Sequence, residues 1–143
     1  MSHQIFSRNN RDQLASALSS DAWVIACLCA GWCGSCRDYA VDFAAWAERY
    51  PQHHFVWIDI EDQADLVGDL DIDNFPTLLM QRGPTVSFFG PMEPDTRLAE
   101  RLLLALAEKS PGELAQEAAS SAERRSWQDC NLQACLNNLT DAA

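Results

Sequence analysis

A chain of 143 residues, 48% of them hydrophobic, has room for one packed domain and a short appendage. Its net charge of −11 disfavours nucleic acid, because phosphates would be repelled. No apolar run approaches the roughly 20 residues of a membrane-spanning helix, which points away from a membrane protein. Residues Met1 to Arg8 lack the basic-then-apolar pattern of a secretory signal. The expected location is therefore cytoplasmic, where disulfides are mostly transient, and the six cysteines are expected to be thiols by default.

In chain order, His3 to Ser7 reads as a short first strand. Asn10 resembles an N-cap with Gln13 at the third position, and Leu14 and Leu18 share a face, so the first helix is expected at about 10–20. Ala22 to Cys29 is apolar throughout, as a central strand buried on both faces would be. The next helix sets Cys36, Ala40, Phe43, Ala47 and Tyr50 on one stripe and stops at Pro51. His54 to Ile60 follows as a strand, so 22–60 forms a βαβ unit. A short helix is expected near 63–70, then Phe75-Pro76-Thr77 leads into a strand through about Met80. Arg82 to Thr85 is a turn, Val86 to Phe89 its hairpin partner, and Gly90-Pro91 is expected to break that strand. A helix capped by Asp95 or Glu93 carries Leu98, Leu102 and Leu106. Ser110-Pro111-Gly112 marks a boundary, which divides the chain into 1–109 and a C-terminal extension, 110–143. The extension is expected to be helical in two pieces, with Leu132, Cys135, Leu136 and Leu139 as an apolar face that docks on the core.

The chemistry concentrates in Trp32-Cys33-Gly34-Ser35-Cys36, at the carboxyl end of the first strand of the βαβ unit, where open α/β sheets place their sites. At a helix start, Cys33 meets unpaired backbone N–H groups and the positive end of the helix dipole, which favour thiolate over thiol. Cys36, one turn in, is placed to attack a mixed disulfide formed at Cys33. The blander readings are two inert packed cysteines or half of a zinc site, though the histidines, His3, His53 and His54, form no second spaced pair. Cys27 and Cys29 face the same side of their strand; they read as small apolar packing, or else as a second redox pair or metal-loving cluster with Cys33. Cys130 and Cys135 are wrongly spaced for a disulfide on one helix. The acids Asp59, Glu61, Asp62, Asp65, Asp69, Asp71 and Asp73 make a solvated face or steer basic partners.

Taken together, Trp32-Cys33-Gly34-Ser35-Cys36, Phe75-Pro76-Thr77 and Gly90 resemble the thioredoxin family over about residues 4–109. The resemblance implies a thioredoxin fold, an α/β architecture with a central mixed sheet flanked by helices, here with a helical C-terminal tail added. It implies Cys33 as nucleophile and Cys36 as resolving thiol. It further implies a cis peptide before Pro76 and a substrate groove formed by Trp32, Phe75, Pro76 and Gly90. Thioredoxins usually carry a buried Asp in the strand before the motif, thought to relay a proton, and a neighbouring Lys. Those positions fall at Cys27 and Trp57, so both charges are lost together, as the cost of an unpaired buried charge requires. The Pro usual between the motif cysteines is Ser35, which should make the pair more oxidising.

These features lead to a cytoplasmic dithiol–disulfide oxidoreductase acting on protein disulfides. It needs no cofactor or metal, draws electrons from a thioredoxin-reductase-like or other thiol donor, and works as a monomer. The rival is a redox-sensing adaptor with weak turnover whose tail gates the groove.

Overall fold

The computed structural model describes residues 3–5, 11–20, 22–29, 34–60, 76–91 and 96–136. The helix expected at 63–70 and the caps at 93 and 95 lie outside them. Strands β1 (His3–Ile5), β2 (Trp23–Cys29), β3 (His54–Asp59), β4 (Thr77–Arg82) and β5 (Thr85–Pro91) form one sheet in the order β1-β3-β2-β4-β5. β3 runs parallel to β1 and β2, whereas β4 is antiparallel to β2 and to β5. Helices α1 (Arg11–Ser19), α2 (Gly34–Arg49), α3 (Thr96–Ala107), α4 (Pro111–Ala118) and α5 (Ala122–Trp127) cover the sheet.

The apolar run of β2 follows from its position. All seven residues are buried, with neighbours on both edges and helices on both faces. Strand alternation divides them: Trp23, Ile25, Cys27 and Cys29 join a cluster with α2 and α3, and Val24, Ala26 and Leu28 join one with α1 and the tail. On the α2 side the centre is aromatic. Phe43 meets Trp46, Phe55 and Trp57 at centroid distances of 6.0, 5.6 and 5.8 Å, in edge-to-face geometry that suits ring quadrupoles. The Tyr50 hydroxyl donates to Glu100 at 2.9 Å, and Arg49 pairs with the same carboxylate, joining the end of α2 to α3.

Two expectations are corrected. β5 does not stop at Phe89; it runs through Gly90 and Pro91, which pair with Leu78 and Thr77. A proline is tolerated there because β5 is an edge strand and Pro91 is its last residue. In α3 the fully buried face is Thr96, Ala99, Leu103 and Leu106, whereas Leu98 is 52% exposed. A leucine-rich helix offers more than one apolar stripe, and packing against α2 selects the one passing through Ala99. The turn between β4 and β5 has Gly83 at φ +57°, a conformation that glycine adopts without strain.

Among the described residues the tail forms three helical pieces rather than two, because the chain supplies three caps. Ser110 makes a capping box with Glu113 ahead of α4, Ser121 caps α5, and the Asn131 side chain accepts from the N–H groups of Gln133 and Ala134 to start a turn at 132–136. The tail wraps the β5 edge. Leu114 enters the α2-side cluster, while Cys130, Leu132 and Leu136 are buried on the opposite face beside α1, with Trp127 and Cys135 packed at the margin. Leu139 lies outside the described residues. Gln128 satisfies an edge residue on both sides: Val86 N–H donates to its Oε1 at 2.9 Å and its Nε2 donates to Val86 O at 2.8 Å. Gln81, fully buried in β4, donates to Gly83 O and Asn131 Oδ1 and accepts from Leu132 N–H.

Candidate active site at the carboxyl end of β2

Register places the site. Cys29, the last residue of β2, lies opposite Asp59 at the end of β3, and its neighbour Leu28 lies opposite Thr77 at the start of β4. Thr77 in turn faces Pro91 at the end of β5. The Cys29 carbonyl accepts from Ile60 N–H at 2.9 Å, which pins the strand end. Pro76 is buried immediately before β4, and Gly90 is half-buried opposite Leu78, so both belong to this same end of the sheet. A Cβ on Gly90 would meet the Phe88 ring at 3.5 Å, an ordinary contact. Trp32, Cys33 and Phe75 lie outside the described residues, as does the peptide joining Phe75 to Pro76.

α2 begins at Gly34, the residue after Cys33. Its first turn brings Cys36, fully buried, over the end of β2, where it is disulfide-bonded to Cys29 with the two Cα atoms 5.8 Å apart. That separation is within the ordinary range for a disulfide. Cys29 therefore does more than the small apolar packing expected of it: it is a bonded partner of Cys36. Parity was the one clue: it puts Cys29 on the face of β2 turned toward α2, though not beneath any particular turn of that helix.

Cys27, two residues earlier on the same face, has its Sγ 3.7 Å from that of Cys29. Cys29 carries no proton when bonded, so the Cys27 S–H is the donor in this contact. Burial pushes the Cys27 thiol well above the ordinary thiol value, and it stays protonated at neutral pH. Its register partner on β3 is Trp57, whose ring packs on Phe43. No charge takes the place of the missing carboxylate and lysine at this pair of positions. Cys130 and Cys135 lie in the tail, packed on the other side of the sheet.

A family model for thioredoxin matches residues 4–102. Rice thioredoxin H4-1 is 37% identical over 76 residues, 52% of this chain, and baker's yeast thioredoxin-1 is 32% identical over 65 residues, 46% of it. The matches cover 58% and 63% of those proteins, less than two thirds of either. A crystal structure of a poplar thioredoxin h superposes with a TM-score of 0.63 at 25% identity, covering 76% of this chain and 97% of that one. A Nicotiana alata thioredoxin superposes at 0.64 with 20% identity, over 73% of this chain and 91% of that one, a likeness of fold. With the family model spanning more than half of its length and the sheet, helices and cysteine-bearing helix start all in the corresponding order, the chain belongs to the thioredoxin family.

Proposed function

We propose that the chain is a dithiol–disulfide oxidoreductase that reduces protein disulfides through Cys33 and Cys36. The observation that carries this reading is Cys36, held in the first turn of α2 within bonding distance of another cysteine sulfur. The Cys33 thiolate attacks one sulfur of the substrate disulfide, forming a Cys33–substrate bond and expelling the other substrate sulfur as a thiolate. Cys36 then attacks Cys33 Sγ, the Cys33–Cys36 bond forms, and the second substrate thiol leaves. Two electrons pass from the cysteine pair to the substrate.

The substrate's extended backbone lies in a groove formed by Trp32, Phe75, Pro76 and Gly90, with a cis peptide before Pro76. A proline there offers no N–H to the thiolates, and strand-like pairing would hold the substrate. Electrons return from a thioredoxin-reductase-like protein or another thiol donor, and the chain itself brings no cofactor. We assign residues 1–109 as the oxidoreductase domain and 110–143 as its extension, working as a monomer in cell redox homeostasis in the cytoplasm. No described helix is long and apolar enough to cross a membrane.

One observation favours the rival, a redox-sensing adaptor with weak turnover: Cys27, protonated and buried, cannot take a proton from Cys36 at neutral pH. Against gating by the tail, its anchors Gln81, Pro84 and Val86 lie at the hairpin end of β4 and β5, opposite the end that holds Pro76 and Gly90. The test is trapping with Cys36→Ser and Cys33→Ser. Cys36→Ser should accumulate mixed disulfides with protein substrates and Cys33→Ser should not. Equal trapping by both variants removes the assignment of roles.

A further inference from the structure

Cys36 can form one bond at a time, and the structure bonds it to Cys29, a residue outside the Cys33–Cys36 motif. Cys27, Cys29 and Cys36 are each 0% exposed and belong to one buried cluster at the end of β2. Cys33 lies three residues before Cys36 in sequence. We propose that Cys29 is a third redox thiol of this site, competing with Cys33 for Cys36, so that the chain has two interconvertible oxidised forms. The proposal rests on the reading of Cys33 as the attacking thiol only for its consequence, not for the Cys29–Cys36 bond itself.

The exchange balances without an external oxidant. After turnover the chain holds Cys33–Cys36, formed at the expense of the substrate disulfide. The Cys29 thiolate attacks Cys36 Sγ; the Cys29–Cys36 bond forms, the Cys33–Cys36 bond breaks, and Cys33 departs as a thiolate. No electrons are gained or lost. The proton given up by Cys29 passes to solvent or to the departing Cys33. In the reverse direction Cys33 attacks Cys36, and Cys29 leaves as a thiolate facing the Cys27 S–H at 3.7 Å. A hydrogen-bond donor beside a leaving sulfur lowers the cost of its charge in a buried site.

The consequence is chemical. In the Cys29–Cys36 form the oxidising equivalents sit in a bond closed to solvent, and Cys33 is again a single thiol. It binds a second disulfide substrate but has no free Cys36 to release it, so the mixed disulfide persists until an outside thiol cleaves it. Because Cys29 and Cys36 are fully buried, a protein reductant reaches their bond only after Cys33 has exchanged back.

The experiment oxidises the full-length chain with diamide, a small diazene that takes up two electrons and two protons per disulfide formed. Thiols are then counted with dithiodipyridine in denaturant after an acid quench. Cys33→Ser should lose two more thiols on oxidation than Cys29→Ala with Cys33→Ser, any oxidation of Cys130 and Cys135 being common to both. An equal loss in the two variants, or none in Cys33→Ser, overturns the proposal. Should the double variant not fold, oxidised wild-type chain alkylated with iodoacetamide and cleaved by chymotrypsin after Leu28 and Trp32 decides the matter. A fraction with Cys29 linked to Cys36 and Cys33 alkylated is expected, and its absence is the contrary result. Failure of Cys36→Ser to trap substrates would remove the role of Cys33 and leave this thiol count unaffected, so the two readings fail separately.

Discussion

Burial controls two of the thiols outside the disulfide, Cys27 and Cys130. It pushes Cys27 well above the ordinary thiol value and Cys130 up to about 11, with the neighbouring Cys135 and Asp129 adding to the latter. An unfolded chain ionises such thiols at about 8.5, so above that pH it binds fewer protons than the folded chain. Their contribution to stability is complete below about pH 8.5 and is lost as pH rises through the folded-state values, at about 1.4 kcal/mol per pH unit per group. Melting temperatures under reducing conditions should therefore fall between pH 9 and 11, about in step with that slope, and Cys130→Ala should flatten the fall. An unchanged profile in Cys130→Ala would show that its thiol is not shielded. The acid side has the opposite sign. Burial lowers the pKa of His53 and His54, so the unfolded chain protonates first and stability is lost as pH falls below about 6.5. The sequence carried the identity of Cys36 as a helix-start cysteine through its spacing from Cys33. It did not carry the Cys29–Cys36 bond, because alternation gives the face of β2 on which Cys29 lies but not where the connection through 30–33 sets α2 down.

At the scale of elements, periodicity was most legible where burial is continuous. β2 is apolar along its whole length because both of its faces are covered, and the α2 stripe through Cys36, Phe43 and Ala47 is buried as spaced. Phe43→Ala should cost about 3–5 kcal/mol, since its ring meets four other aromatic side chains, while Val41→Ser, 73% exposed on the outer face of α2, should fall within about 0.5 kcal/mol of wild type. Urea denaturation of the two variants measures both, and similar losses would contradict the assigned faces. Legibility failed where an element's fate depends on a neighbour. Leu98 fits an apolar stripe on α3 but is exposed, because the face that meets α2 is centred on Ala99 and Leu103. β5 outlasts its Gly90-Pro91 signal because Thr77 and Leu78 pair with it. The Gln128 contact depends on a strand edge that no local pattern reveals. Gln128→Ala should leave both backbone groups of Val86 without that partner and cost about 1–3 kcal/mol, whereas Gln116→Ala, exposed on α4, should be nearly neutral.

For the whole molecule, the tail completes the core. It supplies Leu114 to one face of the sheet and Cys130, Leu132 and Leu136 to the other, and it holds the edge strand between them. A chain truncated after Lys109 should fold but with a clearly lower melting temperature, each buried leucine lost counting for about 2–5 kcal/mol in the manner of core truncations. It should also self-associate more readily, because β5 becomes an open edge. An unchanged melting temperature would mean that the packing of the tail contributes nothing. The overall order of strands and helices was legible because each apolar period is local. The path of the tail was not, because its leucines would serve equally well for docking, for pairing with another molecule or for neither, and only the exposed flank of α1 and the edge of β5 decide between these. The central claim, that this fold turns over protein disulfides through Cys33 and Cys36, is tested most directly by reduction of insulin with dithiothreitol as electron donor. The wild-type chain should accelerate insulin precipitation well above the dithiothreitol background, with Cys33→Ser and Cys36→Ser both falling to that background. A wild-type rate equal to dithiothreitol alone would contradict it.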